Sequence, residues 1–153
     1  MAHTNRGRVI LGGLLAGVVV NVVEFVTNGV VLKDTWGQAM LALQKSTEPS
    51  AGQIVMFNVW GFLAGIAAVW VYAAIRPRYG QGVGTAVRAG VAMWVLAYLL
   101  PNISIYALNL FPARLLVITG IVGLAEIIVA TVAGAWIYKE EAQASSTVRR
   151  AAA

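Results

Sequence analysis

A chain of 153 residues that is 59% hydrophobic and only 11% charged, with a mean hydropathy of +0.78, lies far from the soluble average. It contains no cysteine, which excludes a disulfide framework, a thiolate metal site and a catalytic thiol, and its lone histidine, His3, sits in the N-terminal tail, away from any span that would hold haem or zinc. The formal net charge of +5 clusters at the ends of apolar stretches, as a membrane-topology signal does, and not as a nucleic-acid surface.

Four stretches, at about 9–32, 54–75, 89–111 and 115–138, each supply the ~20 apolar residues that cross a ~30 Å hydrocarbon core. The first is too long for a signal-peptide core, and no small-x-small cleavage site follows it. Between the first two, Thr35, Trp36, Gly37 and Gln38 have capping-box spacing. Trp36, Ala39, Met40 and Leu43 then share a helical face, which predicts a short helix from Thr35 to about Lys45 lying in the outer interface. Glu48-Pro49-Ser50 ends it, and Ser50 with Gln53 offers a cap to the second span. Phe111-Pro112-Ala113-Arg114 leaves a tight hairpin between the third and fourth. The sequence therefore predicts an all-α fold: one membrane domain, 1–143, built as a four-helix transmembrane bundle, with a flexible cytoplasmic tail at 144–153. Arg6, Arg8, Arg76, Arg78, Arg88, Lys139, Arg149 and Arg150 fall on one side, against Lys33, Lys45 and Arg114 on the other. That bias places both termini in the cytoplasm of a cell whose inner membrane holds the protein.

Helical spacing picks out the faces that avoid lipid. Gly13, Gly17, Asn21, Glu24 and Asn28 form one stripe, whose glycines let another backbone approach closely. Asn58, Gly61, Gly65, Ala68 and Tyr72 form a second, with Trp60 and Trp70 turned towards lipid. Tyr98, Asn102, Tyr106 and Asn109 form a third, interrupted by Pro101, which frees the carbonyl of Ala97 and kinks the helix. Thr119, Gly123, Glu126, Ala130 and Ala133 form the last. Asn21 and Asn28 recur at the same separation as Asn102 and Asn109, and Trp70-Val71-Tyr72 resembles Trp136-Ile137-Tyr138, which hints at two related hairpins.

Glu24 and Glu126 are the chemistry-bearing residues. An acid at hydrocarbon depth is costly, and so marks a functional site. Glu24 falls roughly 5 Å outside the midplane at 1.5 Å per residue, and Glu126 near it, so the two can meet. With no cation in their own spans, they are expected to be protonated or to share a proton, and to bond to Asn21, Asn28, Asn58 or Asn102. Three readings follow: a structural polar clasp, a proton or cation site of a small transporter or channel, or a counter-charge for a basic group or cofactor on a partner subunit. A catalytic reading fails for want of a nucleophile paired with a base, since Ser104 and Thr119 read as packing hydroxyls. No enzyme activity, cofactor or metal is expected.

The segments Asn21-Val22-Val23-Glu24-Phe25, Asn28-Gly29-Val30-Val31-Leu32, Trp60-Gly61-Phe62, Tyr72-Ala73-Ala74-Ile75-Arg76-Pro77 and Leu99-Leu100-Pro101-Asn102 resemble small four-span bacterial integral membrane proteins. The resemblance covers most of residues 8–140 and implies that architecture, with no activity attached. The combined expectation is a non-enzymatic accessory or assembly component of a membrane complex, in contact with the lipid bilayer and completed by a homo-oligomer or other membrane subunits. The alternative is a proton- or cation-coupled transporter built on the two acids.

Overall fold

The structure is a computed structural model, and it describes residues 5–138. The tail at 144–153 lies outside the described residues, as do Lys139, Arg149 and Arg150. All regular structure among the described residues is helical, and four helices are long and apolar enough to cross a membrane: Arg6–Val31, Ala51–Tyr79, Val83–Ala107 and Ala113–Ile137.

Asn5 starts α1 (Arg6–Glu24) by accepting the Arg8 N–H on its Oδ1 at 3.0 Å. The span continues as a π-helix through Phe25–Val31, a stretch where Val26, Thr27, Val30 and Val31 are β-branched and Gly29 is flexible, so the α-helical register is weakly held. The short helix α2 covers Lys33–Ala42. It begins two residues before Thr35, and no side chain caps it, so the Thr35 capping box does not form. Asp34 stands in its first turn, where the helix dipole favours an acid.

The Ser50–Gln53 capping box does form, with Ser50 Oγ accepting from the Gln53 N–H at 3.3 Å and Gln53 Oε1 accepting from the Ser50 N–H at 2.8 Å. It opens α3 (Ala51–Tyr79), which ends at Gly80, φ 80°, with Arg76 and Arg78 in its last turn. The third span begins at Val83, six residues ahead of the apolar stretch, because the Thr85 hydroxyl donates to the Gly80 carbonyl at 2.8 Å and ties the helix to the preceding turn. It runs as α4 (Val83–Trp94), a π-turn at Val95–Leu99 and α5 (Leu100–Ala107). The π-turn contains Ala97, four residues before Pro101: a proline ring collides with the carbonyl four residues back, and widening the helix relieves the collision. The last span, α6, covers Ala113–Ile137.

α1 packs on α3 and α6, and α4 packs on the same two helices, so the spans form a square with α3 and α6 touching across one diagonal. The packed core lies in the half of the bundle nearest Arg6 and Arg76, around Ala16, Val20, Ala68, Val69, Ala89, Ile127 and Ala130. These are mostly small residues, as expected where association depends on van der Waals contact between close backbones. At that end the Tyr72 and Tyr138 rings meet edge to face at 5.9 Å, with Arg76 over Tyr138.

The other half is far more open. Nothing in Phe25–Val31 or α5 is buried, and residues 51–60 of α3 are exposed all round. What closes this end is α2: Leu32 and Ala39 pack on Leu115, and the Trp36 ring meets Phe111 edge to face at 5.1 Å.

Candidate functional site

The glycine stripe of α1 brings α3 within reach of the acids. A side chain at Gly65 would run into the backbone of Gly13 and Gly17, and one at Gly17 would lie 2.7 Å from the Phe62 Cα. Gly61 makes room for the Asn21 amide, which donates to its own Gly17 carbonyl at 2.9 Å and across the interface to the Asn58 carbonyl at 3.2 Å. Gly12 and Gly134 provide a similar approach of α1 to α6: a Cβ on Gly12 would lie 2.5 Å from the Gly134 carbonyl oxygen. The sequence stripes omit that pair.

One turn beyond Asn21, Glu24 reaches the centre of the square. From α6, Glu126 reaches the same place and is only 4% exposed. Between them stands Tyr98, 8% exposed, on the π-turn of the third span. Its hydroxyl lies 2.9 Å from Glu126 Oε1 and 3.3 Å from Glu24 Oε1. The Tyr98 ring occupies the space left by Gly123, where a side chain would collide with it, and Trp60 stacks edge to face on that ring at 5.8 Å. Trp60 therefore braces the site as well as meeting lipid, while Trp70, 58% exposed, faces outward.

The chain of contacts continues towards α2. The Asn28 amide donates to Glu24 Oε2, and the Trp36 indole N–H donates to Asn28 Oδ1 at 2.8 Å. Trp36 is thus pinned to the bundle and is not simply an interfacial anchor. Of the four amides expected at the acids, Asn28 alone contacts one. Asn102 donates instead to the Leu116 carbonyl at 3.1 Å, Asn58 donates to its own Ile54 carbonyl at 2.8 Å, and Asn21 serves the α1–α3 seam. Tyr106 and Asn109 are exposed, the latter in a turn with φ 52°, so the polar stripe of the third span stops at Asn102.

Proton counting constrains this cluster. A phenol has one proton to donate. If Tyr98 donates to one of the acids, the other contact is a hydrogen bond when that second acid carries a proton and donates to the phenol oxygen. The arrangement thus accommodates one shared carboxyl proton alongside one carboxylate. No described lysine or arginine contacts either acid, and the described ion pair, Lys33–Glu48 at 3.1 Å, lies exposed at the surface. No group of three His, Cys, Asp or Glu side chains that would hold a metal occurs among the described residues.

Beyond Glu126, towards the basic end, the buried threonines bond locally to backbone, Thr131 to the Ile127 carbonyl at 2.5 Å and Thr85 to the Gly80 carbonyl at 2.8 Å, and neither bonds to the acids. The polar chain therefore runs from the centre of the bundle to α2 and goes no further. Comparisons with family models, with curated proteins and with solved structures find no match.

Proposed function

We propose that this integral membrane protein is a non-enzymatic accessory or assembly component of a membrane complex. The observation that carries this reading is the open α2-end half of the bundle, where residues 51–60 of α3 are exposed all round beside two acids that no described base accompanies. A helix left largely uncovered by its own bundle beside a polar cluster is incomplete as a unit in lipid, since polar groups at that depth are normally turned towards protein. The partner is another membrane subunit or a further copy of the chain, the membrane is the cytoplasmic one, and both termini face the cytoplasm. Native mass spectrometry of the gently extracted protein tests this. A hetero-complex of fixed stoichiometry supports it, and a chain that always flies alone overturns it.

A second reading has its own observation, the single Tyr98 hydroxyl shared by Glu24 and Glu126. A proton held between two acids and a phenol is a feature that a proton-coupled carrier would use. On this reading Glu24→Gln and Glu126→Gln each abolish pH-driven flux in liposomes while the bundle stays folded. Equal flux in the wild type and both variants eliminates it.

A further inference from the structure

We infer that the open corner at the α2 end seats a transmembrane helix of a different subunit, and that a lysine or arginine on that helix pairs with Glu24. The inference rests on the accessory reading above and gives the partner a chemistry.

Three observations point the same way. The first is space. The outer part of α3 meets the bundle through the Asn58 carbonyl, which accepts from Asn21, and through the Trp60 ring against Tyr98. The turns before them pack little on the Phe25–Val31 π-helix or on α5 and carry Met56 at 72% and Phe57 at 66% exposure. The second is polarity on that bare stretch. Asn58 is exposed about 10 Å from the midpoint of α3 at 1.5 Å per residue, within a ~30 Å hydrocarbon core. Its amide N–H is used by Ile54, and its carboxamide oxygen has no partner among the described residues. A lipid chain offers that oxygen nothing, whereas a neighbouring helix can offer a donor.

The third is charge. Glu24 is half-buried, so it can be reached from outside the bundle, whereas Glu126 is enclosed. The titratable groups facing Glu24 are Glu126 from α6 and Tyr98 from the third span. α3 presents Trp60 and Asn58 on this side, and α2 presents Trp36.

No described lysine or arginine of a second copy stands mid-span at the depth of Glu24, which makes a foreign helix the better source of the cation. Each described lysine and arginine lies in a loop, in α2, or in the first two turns or last turn of a span. An inorganic cation is also a poor occupant, because hard cations take about six oxygen ligands, and two carboxylates with one amide oxygen already given to Trp36 fall short. A basic side chain on a foreign helix needs only a carboxylate. Pairing also removes its own penalty for lying in the bilayer.

The cysteine-free chain allows a direct test. Ser46→Cys, labelled with a donor fluorophore, is reconstituted in phosphatidylcholine vesicles with acceptor-labelled Leu/Ala helices. One helix carries a single Lys about 8 Å from its centre, and the other carries Leu there. The expected result is association about 10-fold tighter for the Lys helix, in line with a polar interhelical contact. Glu24→Asp should keep that preference, showing that a changed side chain is tolerated, and Glu24→Gln should erase it. Equal association of the two helices, association of neither, or a preference that survives Glu24→Gln overturns the proposal. Energy transfer between copies of the chain, with no preference among peptides, assigns the corner to a second copy and overturns it as well. A native complex whose partner lacks a base at this depth removes this inference alone. A chain isolated without any partner removes the accessory reading with it.

Discussion

Tyr98 holds the two acids together, and the sequence displayed it only as one member of a polar stripe. Nothing in a tyrosine four residues before Asn102 announces that its hydroxyl will meet carboxyls from two other helices, because that meeting depends on Gly123 leaving a hole for the ring. Tyr98→Phe should remove both contacts at once. At about 0.6–2 kcal/mol for each interhelical bond, the expected effect is a lower unfolding midpoint in detergent, read by fluorescence-detected size exclusion. Glu126 separates shape from charge. Gln at this position still accepts from the Tyr98 hydroxyl, whereas Leu removes the nearer acceptor and leaves that hydroxyl only the longer 3.3 Å contact to Glu24, at a cost of about 0.5–1.5 kcal/mol. Glu126→Leu should therefore lower the midpoint well below Glu126→Gln. Equal midpoints for the two variants would show that the hydrogen bond from Tyr98 contributes nothing to the fold. The acids themselves were legible from depth and charge alone. Their true partners were not, since three of the four amides on the right faces turned to backbone carbonyls that helical periodicity does not reveal.

At the scale of the element, the four spans follow from hydropathy, and the contact between α1 and α3 follows from glycine spacing. Gly13, Gly17, Gly61 and Gly65 share an interface in which the Gly65 position abuts the α1 backbone. Gly65→Val should force the helices apart and lower stability by about 1–3 kcal/mol, the usual range for overpacking. Gly84, which has nothing within 4 Å, supplies the control: Gly84→Ala should leave the unfolding midpoint unchanged or raise it slightly. If the two substitutions shift the midpoint alike, close packing at Gly65 is not what joins these helices. The π-helical stretches were less legible. Pro101 signals a disturbance in the third span, and the structure resolves it as a widened turn that presents Tyr98. The corresponding stretch after Glu24 has no proline to betray it, only β-branched residues and a glycine. Both stretches adjoin the acid cluster, in keeping with the frequency of π-turns at functional sites.

Across the whole molecule, the bundle divides into a tightly packed half at the arginine-rich end and an open half at the α2 end. Sequence patterning does not show this division, because an apolar residue facing lipid and one facing a neighbouring helix look the same when hydrocarbon is the solvent. Charge does leave a trace of it. Among the described residues most arginines collect beside the packed half, where Arg76 lies over Tyr138 and Arg88 over Tyr79, and the acids Glu24, Asp34, Glu48 and Glu126 lie in the central and open parts. If the positive side faces the cytoplasm, the open half and its polar chain face outward, and a partner helix would engage there. Single cysteines in this cysteine-free chain test the orientation directly. Ser46 and Gln81 are both exposed, in the α2–α3 and α3–α4 connections respectively, and are separated by the whole length of α3. In intact cells an impermeant maleimide should label Ser46→Cys promptly and Gln81→Cys only after permeabilisation. The reverse pattern would invert the protein and place the open corner on the cytoplasmic side. Labelling of both from outside would mean that α3 does not cross the membrane, and the four-span arrangement would fall with it.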